Sequence, residues 1–167
     1  MNYAELALRF DALCRPMDAA WAYEIAIHTP GASLDLFTNL AALYMASGDG
    51  GYVAQHHLSD DFVEVAFGRA NEVLDLAELR YGDDAEIAFW RHYLREAILF
   101  EAIPEEVYEA LATQSGSFLP HFRLYIGSNG TRYREEMNIL LQHVQDGSTE
   151  KKRYIDSILR STALPKL

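Results

Sequence analysis

The sequence predicts an all-α fold of about eight or nine helices, packed in a single domain as an irregular array or bundle. Apolar residues recur at helical spacing in most segments, glycine and proline interrupt that pattern at intervals, and no segment carries a strand-hairpin signal. The chain has 167 residues, half of them hydrophobic, so it can bury a core without disulfides. Its single cysteine, Cys14, excludes an internal disulfide and is expected to be buried or inert.

Three helices are predicted in the N-terminal part of the chain. The first spans Asn2 to Leu13. Pro16 suits the first turn of the second helix, which stops at Pro30-Gly31. Ser33 is the predicted N-cap of the third helix, and Gly48 ends it.

Small and aromatic residues alternate across the second and third of these helices. Small residues let two helices approach closely, and the aromatic side chains fill the space between them. The pattern consists of Ala19, Tyr23, Ala26, Pro30, Phe37, Leu40, Ala41, Tyr44 and Gly48-Asp49. This stretch, about Ala19 to Asp49, resembles the second helix of one tetratricopeptide repeat followed by the first helix of the next. The resemblance implies an adaptor that binds a peptide in an apolar groove near Trp21, Tyr23 and Tyr44.

A long helix predicted from Ser59 to Tyr81 carries acidic residues along one side. Projected at about 3.6 residues per turn, six carboxylates fall within roughly a third of its circumference. These six form the acidic ridge: Asp60, Asp61, Glu64, Glu72, Asp75 and Glu78. Only Arg69 and Arg80 lie nearby in the sequence. Because like charges one turn apart destabilise a helix by a few tenths of a kcal/mol each, an uncompensated ridge suggests a use.

The remainder of the chain predicts a turn or short helical stretch over 49–58 and further helices beyond the ridge. The helix from Asp83 or Asp84 to Glu101 is apolar nearly all round and is expected to be the most buried. Residues 118–126 fit either a helix or a short strand. The other predicted helices begin at Pro104, at Thr131 and at Ser148 or Thr149, and the last ends near Pro165.

Charge divides the single domain, residues 1–167, into an acidic body, 1–109, and a mildly basic helical part, 110–167. The net charge is −11, yet residues 110–167 contain five acids against eight bases. The surface of the acidic body would repel nucleic acid and anionic membranes, so the predicted partner is a basic protein. The basic side chains could pair with the chain's own ridge, which is favoured, or with a second chain in a homo-oligomer, or with nucleic acid.

Two adjacent histidines, His56 and His57, precede Asp60 and Asp61 by four residues, which is a metal-ligand spacing on a helix. Adjacent histidines point to different sides of a helix, however, and two ligands do not form a zinc site. We therefore predict no metal, no other cofactor and no catalytic residue. A small helical enzyme that uses the two histidines is the least favoured alternative.

These patterns together predict a non-enzymatic protein-binding protein. It would present the acidic ridge, extended by Asp83, Asp84 and Glu86, to a basic protein and would inhibit or sequester that partner. Nucleic-acid-handling proteins are one class of such a partner. Inhibitors, antitoxins, immunity proteins and anti-defence proteins act in this way, some of them by nucleic-acid mimicry. Because no leader segment and no membrane-spanning apolar run is visible, the predicted location is cytoplasmic.

Overall fold

Ten helices follow one another in the computed structural model, which describes residues 2–163. They are α1 (Tyr3–Ala12), α2 (Pro16–Ala26), α3 (Leu34–Ala46), α4 (Gly50–His56), α5 (Asp60–Tyr81), α6 (Ala85–Leu99), α7 (Glu105–Gln114), α8 (Leu119–Gly127), α9 (Arg134–Val144) and α10 (Glu150–Ala163). No strand occurs in this range, and the all-α, single-domain prediction is confirmed. The number of helices exceeds eight or nine because 50–56 and 119–127 are both helical.

Capping residues set several of the helix boundaries. The Ser59 hydroxyl accepts a hydrogen bond from the Phe62 N–H at 3.3 Å, so α5 begins where the sequence predicts. Helix α9 begins three residues later than predicted because Tyr133 adopts a left-handed conformation, with φ 59°. The predicted end of the last helix near Pro165 lies outside the described residues.

The most buried helix is α3, whereas the sequence predicted α6. Every residue from Leu36 to Ser47 is buried, and α2, α5, α6 and α10 all pack against this helix. The Ser47 hydroxyl bonds the Leu43 carbonyl at 3.0 Å, which satisfies a polar group inside the core. Helix α6 instead keeps Arg91 and Arg95 partly accessible to solvent. Apolar composition alone overestimated its burial, because the number of helices that surround an element depends on the tertiary fold.

The second and third helices pack together as their residue pattern predicts. Tyr23, Phe37, Leu40 and Tyr44 are all buried between α2, α3 and their neighbours. Such burial is common to many packed helical pairs, so the resemblance to tetratricopeptide repeats stays a prediction.

A buried carboxylate joins the two ends of the chain. Asp11, in α1, is 1% exposed and accepts hydrogen bonds from the Tyr23 hydroxyl at 2.9 Å, the Glu150 backbone N–H at 2.7 Å and the Arg153 guanidinium at 2.7 Å. Arg153 also lies 3.0 Å from Glu150 and donates to the Gly147 carbonyl at 2.7 Å. We call Asp11, Tyr23, Glu150 and Arg153 the Asp11 cluster. It fixes the first turn of α10 against α1 and α2.

The Asp11 cluster contains two carboxylates and a single guanidinium. Burial raises the pKa of Asp11 and of Glu150 above their ordinary values, although the hydrogen bonds and the positive charge of Arg153 act in the opposite direction. When both carboxylates are ionised, the three side chains carry one net negative charge in a largely buried site.

Asp11→Ala should lower the free energy of unfolding by about 3 to 5 kcal/mol, because it leaves the buried Tyr23 hydroxyl and Glu150 N–H without an acceptor and removes one of the two carboxylates that pair with the partly buried Arg153. Urea denaturation measures the change. Asp11→Asn, which keeps an acceptor oxygen, should cost less, and Glu106→Ala at an exposed site should change the value by less than about 0.5 kcal/mol. An equal effect of Asp11→Ala and Glu106→Ala would contradict the role given to the cluster.

The stability contributed by Asp11 should depend on pH. Burial raises the pKa of Asp11 in the folded protein above the value of 3.8 expected in the unfolded chain. The pH-dependent part of its contribution to stability is therefore fully present below pH 3.8 and is lost as the pH rises through the folded-state pKa. The difference in unfolding free energy between the wild type and Asp11→Asn should therefore be larger at about pH 4.5 than at about pH 7.5. Lys152 lowers the pKa of Asp146 to about 2, so Asp146→Asn should show no such trend over this range.

Candidate functional site

The outer face of α5 carries the acidic ridge. All six carboxylates are exposed, and the opposite face of the helix is buried through Ala66, Ala70, Val73, Leu74 and Ala77. The ridge therefore lies on the surface, extending about 27 Å at 1.5 Å per residue.

The C-terminal half of the ridge is partly neutralised by α6. Arg91 places Nη1 2.8 Å from Asp75 Oδ1 and Nη2 2.8 Å from Glu78 Oε2, so one guanidinium serves two carboxylates. Sequence reasoning missed this arginine because it belongs to the next helix. The expectation that only Arg69 and Arg80 could neutralise the ridge is wrong.

Arg69 is shared with a carboxylate outside the ridge. It contacts Glu72 and also Glu24 of α2, with Nη2 2.5 Å from Glu24 Oε2. Arg80 contacts no ridge carboxylate in the described structure and instead donates to the Ile27 carbonyl at 3.0 Å. Arg69 and Arg80 thus connect α5 to α2 and the turn after it more than they screen the ridge.

The N-terminal half of the ridge keeps its charge. Asp60, Asp61 and Glu64 make no ion pair with any residue between 2 and 163. The six ridge carboxylates and Glu24 together face two arginines, which leaves five negative charges uncompensated. The strongest negative potential should lie at the beginning of α5.

The predicted extension of the ridge has mainly structural roles. Asp84 caps α6 by accepting the Glu86 N–H at 2.8 Å. Glu86 accepts from Lys151 at 3.3 Å and from the Trp90 indole at 3.4 Å. Asp83 is exposed, and it makes no ion pair within the described chain. Of the three extension residues, Asp83 is the one available to a partner.

The basic C-terminal part pairs with acids away from α5, contrary to the favoured expectation that it neutralises the ridge. Lys151 contacts Glu86 of the extension and also Asp35 of α3. The remaining pairs of this part are Arg123–Glu96, Arg132–Glu105, Arg132–Glu109, Lys152–Asp146, Arg153–Asp11, Arg153–Glu150 and Arg160–Asp156. None of the described ion pairs joins this part to an acid of α5.

Apolar groups are interspersed among the ridge carboxylates. Val65 is 52% exposed and Leu79 is 85% exposed. Gly68 is exposed, and a Cβ built there would meet nothing within 4 Å. Protein interfaces typically have an apolar centre surrounded by a polar rim, and the exposed apolar groups of α5 with carboxylates around them fit that arrangement.

A groove with a volume of about 900 Å³ opens between α4, the end of α6 and α10. Its apolar lining residues are Met45, Ala46, Ala97, Ile98, Phe100 and Ile158. The lining also includes Asp49, Tyr52, Glu150 and Arg153. Its residues come from five segments of the chain, so sequence reasoning did not identify it.

One member of the histidine pair, His56, lines this groove. His56 packs on Tyr52 with ring centroids 4.3 Å apart, whereas His57 ends α4 in a left-handed conformation. Within the described part of the chain, no group of three or more His, Cys, Asp or Glu side chains could hold a metal ion. Cys14, expected to be buried or inert, is exposed at the groove.

Two of the three residues of the predicted peptide groove, Tyr23 and Tyr44, are buried in the described structure. Tyr23 is fully buried, and Tyr44 is 6% exposed with its hydroxyl bonded to Glu24 at 2.7 Å. Only Trp21 of the three is exposed, and it packs edge-on against Tyr3. Two of the three residues therefore belong to the core.

Comparison with known proteins found no matching family model, no matching curated protein and no matching solved structure. None of the helices within residues 2–163 has the length and apolar character needed to cross a membrane.

Gly68→Ala should raise the free energy of unfolding by up to about 1 kcal/mol, because alanine stabilises an exposed helix interior and the added methyl meets nothing. Thermal or urea denaturation measures the gain. Gly82→Ala should act in the opposite direction, with a loss of about 1 to 3 kcal/mol, because its φ of 71° and ψ of −151° strain any side chain. A loss of stability in Gly68→Ala would show that the helix surface is not open there.

Proposed function

We propose that this protein is a non-enzymatic binding protein whose acidic ridge contacts a basic protein and inhibits or sequesters it. The observation that carries the proposal is the uncompensated charge on the outer face of α5, concentrated at Asp60, Asp61 and Glu64. A basic surface that binds nucleic-acid phosphate is complementary to such a ridge, so a nucleic-acid-handling protein of the cytoplasm is the proposed class of partner.

The apolar groups within the ridge would supply affinity that charge alone does not. Exposed charges mainly accelerate association and orient the partner, whereas buried apolar contacts slow dissociation. Val65 and Leu79 are positioned to be covered by a partner that lies along α5. Gly68, between them, leaves room for the close approach of a partner's backbone.

Removal of charge at the unpaired end of the ridge should weaken partner binding. Asp61→Asn/Glu64→Lys adds three units of positive charge without breaking an ion pair of the described fold. We expect roughly a tenfold loss of affinity, since exposed charge pairs contribute about 0.2 to 1 kcal/mol each. The partner is first isolated from the source cells at low and high salt and identified by mass spectrometry. Its affinity is then measured by titration calorimetry.

The matched control is Glu106→Lys/Glu135→Gln, which adds the same charge on α7 and α9. These helices pack against α6, α8 and α10, and both residues are exposed. The control should retain most of the affinity, because the charge change lies away from the ridge. Equal weakening by both double variants would mean that net charge, and not the ridge, governs binding. Unchanged binding in Asp61→Asn/Glu64→Lys would rule out the ridge as the contact surface.

A further inference from the structure

We propose that the groove between α4, α6 and α10 receives an aromatic or large apolar side chain of a peptide segment that carries Lys or Arg beside it. The identity of the segment as part of the basic partner rests on the proposed function. The groove itself is built from different residues than the ridge, so the two proposals can fail separately.

The lining of the groove suits such a side chain, and its size leaves room for neighbouring residues of the segment. Its volume of about 900 Å³ lies within the range of roughly 300 to 1,000 Å³ that ligand sites occupy. Met45, Ile98 and Ile158 provide apolar lining, and Tyr52 and Tyr154 are also among the lining residues. An aromatic side chain that enters the groove would be removed from water and would pack against these residues.

The charge of the groove selects for a cation beside that side chain. Arg153 is the only Lys or Arg among the described lining residues, and all three of its nitrogens are engaged, by Asp11, Glu150 and the Gly147 carbonyl. It is therefore not free to bind an anion. Asp11 and Glu150 share this one guanidinium, and Asp49 adds a further carboxylate at the groove. When these three carboxylates are ionised, they and Arg153 together carry a net charge of about −2. Asp11 is buried and does not line the groove, so a cationic group there would meet Asp49 and Glu150 directly.

Phe100 marks the rim of the groove as a contact point. It is 89% exposed, and its φ of 54° places a bulky residue in the left-handed region at the end of α6. That conformation costs about 1 to 2 kcal/mol for a residue with a Cβ, and an exposed aromatic ring gains nothing from burial. Packing against a partner's side chain would bury the ring and so offset the cost of the left-handed conformation.

The groove also adjoins the unpaired end of the acidic ridge. Its lining residue His56 precedes Asp60 by four residues, so their Cα atoms lie within about 14 Å of each other. One extended basic segment can therefore reach both surfaces, with its cations on Asp60 and Asp61 and its apolar side chain in the groove.

Three synthetic pentapeptides test the chemistry directly: Lys-Lys-Trp-Lys-Lys, Lys-Lys-Ala-Lys-Lys and Glu-Glu-Trp-Glu-Glu. Each is titrated into the full-length ¹⁵N-labelled protein, and the backbone amide shifts are followed by NMR. We expect saturable shifts of the groove amides Gly48, Gly51, Ile98 and Ser157 with the first peptide. Binding should be at least fivefold weaker with the alanine peptide and undetectable with the acidic one.

A groove-filling variant provides the matched test in the protein. Ala97→Trp places an indole into the groove from an exposed position, so it should fold normally and lose at least tenfold in affinity for Lys-Lys-Trp-Lys-Lys. Ala110→Trp, exposed on α7 and outside the groove, should bind as the wild type does. Glu150→Gln should weaken the binding of Lys-Lys-Trp-Lys-Lys, because it removes a negative charge from the groove.

Several outcomes would overturn the proposal. Equal shifts of the groove amides by the tryptophan and alanine peptides, or full binding by Ala97→Trp, would exclude the groove as the site. Equal binding of the acidic peptide would exclude the cationic class. If tryptamine bound as tightly as Lys-Lys-Trp-Lys-Lys, the occupant would be a small amine. A dimer that Ala97→Trp dissociates would make the occupant a second copy.

The affinity of the isolated partner for the two variants distinguishes the ridge proposal from the groove proposal. If Asp61→Asn/Glu64→Lys weakens it while Ala97→Trp does not, the proposed function stands and the groove assignment fails. If only Ala97→Trp weakens it, the groove assignment stands and the ridge fails.

Discussion

The architecture depends on the burial of one carboxylate. Asp11 accepts donors from α2 and α10, and the backbone N–H of Glu150 that it binds belongs to the first turn of α10, where no intrahelical acceptor exists. This contact spans 139 residues, so it closes the fold end to end. The pairs of Arg153 with Asp11 and Glu150 anchor α10, which packs against α3 and places the Tyr154 ring 6.1 Å from that of Tyr93 in α6. The groove is a consequence of that anchoring.

Electrostatics divides the ridge into two unequal halves. Arg91 and Arg69 serve the C-terminal half, where they also attach α5 to α6 and α2. At the other end, Asp60 and Asp61 lie in the first turn of α5, where the helix dipole favours negative charge. Glu64 lies beyond that turn and has no ion-pair partner within the described chain. It is the ridge residue whose charge brings the least benefit to the fold, so it is the most informative about binding.

Local sequence signals predicted the helices well, but they did not predict contacts between segments that are distant in the sequence. The two ends of α5, at Ser59 and Gly82, were predicted correctly because capping is a local property of the sequence. The ion pairs of Arg91 were missed because they depend on how α6 crosses α5. Asp11 has the same local context as any surface acid on an amphipathic helix, and only the docking of α10 buries it. The exposed face of α5 was therefore predictable from sequence, whereas the groove was not.

A ridge of charge and an apolar groove solve different parts of the recognition problem. A protein with a net charge of −11 attracts every basic surface, and long-range attraction discriminates poorly among them. Discrimination requires a short-range feature that some basic segments lack, such as an aromatic side chain at one position. Because Arg153 is already engaged, the groove offers no compensating cation to an acidic segment. Steering along α5 followed by insertion beside Phe100 would therefore select a subset of basic partners, which charge alone cannot do.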